Sequence, residues 1–75
     1  MPVVRSFSYK GFRIVCTVMP APDGKVRGVA EILKVADGLG RDQPVSQVGG
    51  AIFHEERDAL ESIGTLARDW VDGRW

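Results

Sequence analysis

Residues 53–70 read FHEERDALESIGTLARDW, and here the hydrophobic pattern of the chain changes its period. From Glu55 onward Ala59, Leu60, Ile63, Leu66, Ala67, Trp70 and Val71 recur at spacings of three and four. This spacing predicts one wide apolar stripe along a helix of about 17 residues. Glu55, Glu56 and Asp58 fall in its first turn, where carboxylates meet the positive end of the helix dipole. Gly73 follows the last periodic residue and suits a left-handed C-terminal cap. The lone histidine, His54, stands beside the cap position, where the neighbouring acids can share a hydrogen bond with it. A catalytic histidine requires a nucleophile or second base placed with it, and the spacing offers none. Gly64 costs about 1 kcal/mol inside a helix relative to alanine, and close packing on that side would explain it.

Before residue 53 the period is two. VVRSFSY is rich in valine and aromatics, and Lys10-Gly11 suits a tight hairpin turn. In FRIVCTVM, residues 12–19, Phe12, Ile14, Cys16 and Val18 alternate onto one face. Arg13, Val15, Thr17 and Met19 take the other. PAPDG, residues 20–24, breaks the pattern with two prolines and an Asp-Gly turn. VRGVAEILKV, residues 26–35, reads as a further strand, with Val29, Leu33 and Val35 beside Arg27 and Glu31, and with Ala30 and Ile32 opposite. Residues 36–44 read as a flexible loop. VSQVGGAIF, residues 45–53, reads as the last strand, bent or bulged at Gly49-Gly50.

The expected fold is therefore α+β: one domain over residues 1–75, with an antiparallel sheet of three or four strands packed on one C-terminal helix. The expected core is Phe12, Ile14, Cys16, Val18, Ile32, Ile52, Leu60, Ile63, Leu66, Ala67 and Trp70.

Composition narrows the function. With 44% hydrophobic and 27% charged residues the 75-residue chain is that of a globular protein. Its apolar runs fall far short of the roughly 20 residues of a membrane helix, and its start has no apolar signal region. One cysteine and one histidine cannot form a four-ligand zinc site. A reducing cytoplasm, no membrane and no cofactor are the expectations. Formal charge sums to zero, yet residues 1–41 carry seven basic and three acidic side chains and residues 42–75 carry three and seven. A basic N-terminal part thus faces an acidic C-terminal part. GLGRDQ has two glycines of a dinucleotide fingerprint but lacks the third and the βαβ unit. No phosphate loop, catalytic acid pair or Ser-His-Asp arrangement is present. Cys16 alternates with Phe12 and Ile14, which marks a buried, inert thiol.

Two binding surfaces emerge. Arg5, Tyr9, Lys10 and Arg13 crowd the first hairpin, where aromatic and basic residues could take a nucleic acid. Val15 and Met19 leave the second sheet face partly apolar, and Trp75 ends the chain beyond the helix cap. These three favour a protein partner, which could be a second copy of the chain.

Three resemblances follow from particular residues. YKGFRI, the Pro-Asp-Gly loop, the strands after it and the stretch of residues 51–73, AIFHEERDALESIGTLARDWVDG, resemble a group of small bacterial proteins with a Tyr-x-Gly-aromatic start and a late helical Trp. That likeness covers most of the chain and implies no activity. Glu55, Glu56, Ala59 and Leu60 resemble the helix entry of the N-terminal domain of HicB-type antitoxins, a partial double-stranded-RNA-binding fold that meets a toxin. It implies three antiparallel strands before the helix and assigns no functional residue. The opening MPVV resembles the tautomerase superfamily, whose amino-terminal proline is a general base. That likeness implies a strand-helix-strand continuation, which this chain's run of strands does not follow.

Overall fold

The computed structural model describes residues 2–35 and 41–74. Strands β1 (Val3–Tyr9), β2 (Phe12–Pro20), β3 (Val26–Lys34) and β4 (Gln43–Phe53) precede helix α1 (Glu56–Asp72). The strands pair antiparallel in the order β1-β2-β3-β4, each with its neighbour in sequence. Helix α1 covers one face. The architecture is the expected α+β fold.

Local chemistry sets each connection. Lys10 and Gly11 have φ of 49° and 82°, the positive pair that a two-residue turn needs to match the strand twist. A short 3-10 turn, Pro22–Gly24, joins β2 to β3, with Asp23 and Gly24 again at positive φ. Gly49 and Gly50 at the bend of β4 have φ of 99° and 102°. The β3–β4 register slips opposite Gly28, between Arg27 and Val29. This is the bulge expected at Gly49-Gly50. A second slip pairs Ile32 with Ser46 but Leu33 with Pro44. The strand therefore begins two residues before the predicted Val45. Pro44 is tolerated there because β4 is an edge strand. Of the loop expected over residues 36–44, positions 36–40 lie outside the described residues.

The core sits between the two central strands and the helix. Ile14, Cys16 and Val18 of β2, Ala30 and Ile32 of β3, and Ala59, Ile63, Ala67 and Val71 of α1 are all at most 2% exposed. The four helical residues recur every fourth position, so they form one line over the sheet. Phe12, Leu60 and Trp70 pack at its margin. Phe12 and Trp70 meet edge to face, ring centroids 6.0 Å apart.

The core differs from expectation at its edges. Ile52 and Leu66 are 45% and 47% exposed. The slip at Gly28 sets Ile52 opposite Arg27 and Phe53 opposite Val26, so Phe53, not Ile52, turns toward the helix. Leu66 lies on the flank of a stripe wider than the sheet contact. Val71, Ala30 and Ala59 are buried in its place. Gly73 is right-handed, with φ −70° and ψ −6°, so it is no left-handed cap. The last turn closes instead through the Gly73 N–H to Asp69 O and the Arg74 N–H to Val71 O. Glu55 is the N-cap residue but makes no side-chain capping bond, and His54 before it is exposed.

Candidate interaction site

The face of the sheet away from α1 carries no covering element among the described residues. Cross-strand register orders its side chains in rows. Met19, Arg27 and Ile52 form one, Thr17, Val29 and Gly49 the next, then Val15, Glu31 and Gln47, then Arg13, Leu33 and Pro44. Val4 and Ser6 continue the rows onto β1. Val15, Thr17, Met19, Val29, Glu31 and Gln47 line a shallow hollow of about 250 Å³. Val4, Met19 and Ile52 are among the most exposed large apolar side chains, at 55%, 39% and 45%. Val15, Thr17, Val29 and Leu33 are half-buried by their neighbours alone. Val15 and Met19 thus share one apolar surface, as alternation along β2 predicts. Trp75 lies outside the described residues.

Charge on this face is sparse. Arg13 Nε donates to Asp42 Oδ2 at 2.9 Å. Arg27 and Glu31 are exposed and make no ion pair among the described residues.

Of the four basic and aromatic residues of the first hairpin, just Tyr9 and Lys10 are brought together, with Lys10 Nζ 5.4 Å from the Tyr9 ring centroid. Arg5 and Tyr9 pair with Cys16 and Phe12 and so lie on the helix side. Lys10 is in the turn, and Arg13 is on the open face. Three of the four are occupied by carboxylates. Tyr9 OH and Lys10 Nζ both donate to Asp72 Oδ1, at 3.0 and 2.7 Å. This shared contact holds the Asp72 carboxyl below its usual range, mainly through Lys10 and then Tyr9. The Asp72 hydrogen bond in turn raises Lys10 above its usual value. Arg5 reaches the carbonyl of Val4 at 3.3 Å.

A second hollow, of about 300 Å³, opens at this end of the sheet between Lys10, Gly11, Phe12, Lys34 and Arg74. Arg74 stacks on Trp70, 4.3 Å from the ring centroid. Lys34 and Arg74 were not legible as members of a site, because their approach depends on the Phe12–Lys34 register and the helix end.

Cys16 is 2% exposed, and burial pushes its thiol above the usual value, opposed in part by Arg68. Among the described residues no group of three or more His, Cys, Asp or Glu is placed to hold a metal ion. No helix among them is long and apolar enough to cross a membrane.

Compared with known proteins, the chain matches no family model, no curated protein and no solved structure.

Proposed function

We propose that the chain is a non-catalytic protein-interaction module that binds through the open face of its sheet. One observation carries this reading: Val4, Val15, Met19, Val29, Leu33 and Ile52 share the sheet face opposite the helix, interleaved with Thr17, Arg27, Glu31 and Gln47. Exposed apolar residues set among polar ones on an uncovered face mark a contact site. A β-sheet with one face packed and one face wet normally alternates apolar and polar residues, and here the second face keeps its valines. The buried thiol accords with a reducing cytoplasm as the working compartment. The HicB-type likeness remains part of the proposal. Its support is an antiparallel sheet followed by a single helix, with four strands here against three in that domain.

The test is a photo-crosslinking residue placed in cells at Thr17, on the open face, or at Thr65, on the exposed back of α1. Products at Thr17 and not at Thr65 are expected. Products at Thr65 alone, or at neither position, overturn the reading.

A second reading, nucleic-acid binding, rests on the hollow ringed by Lys10, Lys34 and Arg74. Its apolar floor at Phe12 could stack a base while Lys34 and Arg74 take phosphate. It requires RNA or DNA affinity that falls steeply with salt and drops in Lys34→Ala and Arg74→Ala. Affinity indifferent to both changes ends it.

A further inference from the structure

We infer that the occupant of the open face is a second copy of this chain, packed sheet on sheet about a two-fold axis at Val29. In this arrangement Arg27 of each copy pairs with Glu31 of the other. The inference rests on the open-face reading above and names its partner.

The placement of charge favours this partner. Arg27 and Glu31 lie on the same face of β3, two residues on either side of Val29. At about 3.3 Å per residue they are roughly 13 Å apart along the strand, and they make no ion pair with each other. A two-fold axis lying in the interface, perpendicular to β3 at Val29, reverses the strand direction. It sets Arg27 over the partner's Glu31 and Glu31 over the partner's Arg27. Both charges are satisfied at once, as an isologous contact requires. Arg13 is already neutralised by Asp42, so no net charge opposes the approach.

The same operation orders the apolar rows. Thr17 pairs with Val29 in register, so it lies level with the axis. Val15 and Met19 lie two residues to either side of it. Val15 then meets the partner's Met19, and Thr17 meets its own counterpart. Small β-branched residues at the centre let two sheets approach to the usual spacing of about 10 Å. The long side chains of Met19, Arg27 and Glu31 reach across it further out. Sheet twist sets such a pair at about 30°.

A second copy supplies the complementary pair at the matching spacing, so both charges are met without any further group.

The experiment is sedimentation equilibrium of the purified chain at micromolar to high-micromolar concentration, with circular dichroism as the check of fold. The wild type is expected at twice the chain mass of 8.2 kDa. Arg27→Glu and Glu31→Arg each set like charges face to face. Each is expected to weaken association at least tenfold while leaving the helix signal intact. The doubly exchanged variant, R27E with E31R, restores the dimer, and an equimolar mixture of the two single variants forms a mixed one. A wild type that stays monomeric overturns the inference. So does a dimer whose affinity both single variants leave unchanged, because that dimer uses another surface. A monomeric wild type that still crosslinks from Thr17 to a different protein overturns self-association and leaves the open-face reading standing. Absence of any Thr17 product overturns both.

Discussion

Gly28 of β3 lies directly beneath Ile63 of α1: a Cβ built on Gly28 would stand 3.1 Å from Ile63 Cγ2 and 3.2 Å from Ala59 Cβ. The helix packs tightly on the sheet at this point, over the bulge in β4. A methyl at Gly28 forces the helix away by a few tenths of an ångström, and a larger side chain forces more. Gly28→Val is expected to destabilise the fold by about 1–3 kcal/mol, with Gly28→Ala milder. Urea denaturation reads both. A Gly28→Val variant as stable as the wild type would show that the helix does not sit on this residue.

Gly49 carries a second constraint. Its φ of 99° disfavours any side chain, and a Cβ there would lie 2.8 Å from the Gly28 carbonyl oxygen. At Gly50, with φ of 102°, the same Cβ meets nothing within 4 Å. Gly50→Ala therefore costs the backbone strain, about 1–2 kcal/mol. Gly49→Ala costs more, because strain and clash add. Equal midpoints for the two variants in a denaturant titration would contradict this.

Gly64 has the opposite sign. It is buried, yet a Cβ there touches just the Arg68 guanidinium, at 3.7 and 3.8 Å. These are ordinary contacts, and Arg68 itself is held over the Phe7 ring at 5.7 Å. Gly64→Ala is expected to raise stability by about 1 kcal/mol through helix propensity. A loss of stability in thermal melts would reveal crowding around Arg68.

The Cys16 thiol is sealed between sheet and helix and held in its protonated form by burial. Thiol reagents attack the thiolate. Labelling at neutral pH is expected to be slow in the folded chain and fast in urea, with a rate that tracks unfolding. Rapid labelling without denaturant would mean that helix and sheet separate far more readily than this core allows.

Asp72 ties the end of the helix to the first hairpin through Tyr9 and Lys10. Its carboxyl is held below the ordinary 3.8, so its stabilising effect is present above that value. The effect fades as pH falls through the lowered one. Lys10 is raised above the ordinary 10.5, so its share is present below that value and is lost as pH climbs through the raised one. The pair therefore acts between these limits. Asp72→Asn is expected to lower Tm slightly across about pH 5 to 9, and the deficit should close at more acidic pH. Both groups are exposed, so added salt shrinks the difference. A deficit that persists unchanged at pH 2 would assign it to packing, not charge.

The sequence by itself determined the elements and which side of each faces the core. Period two over FRIVCTVM put Ile14, Cys16 and Val18 together, and the switch at residue 53 marked α1. Alternation over residues 26–35 already separated Val29 and Leu33 from Ala30 and Ile32, which is the β3 share of the open face. These are local matters, settled by backbone geometry and by the side to which each side chain points. Tertiary structure alone decided the rest. The slip of β4 at Gly28 exchanged Ile52 for Phe53 in the core, because a bulge shifts the facing of every later residue. The width of the sheet under the helix decided that Val71 is buried and Leu66 is not. Asp72 and Asp42 claimed Lys10 and Arg13 from 62 and 29 residues away, a distance over which no spacing rule speaks. The opposed charges at Arg27 and Glu31 were visible as letters. Alternation already put them on one face with Val29, and only the packing of α1 on the opposite face left that face open.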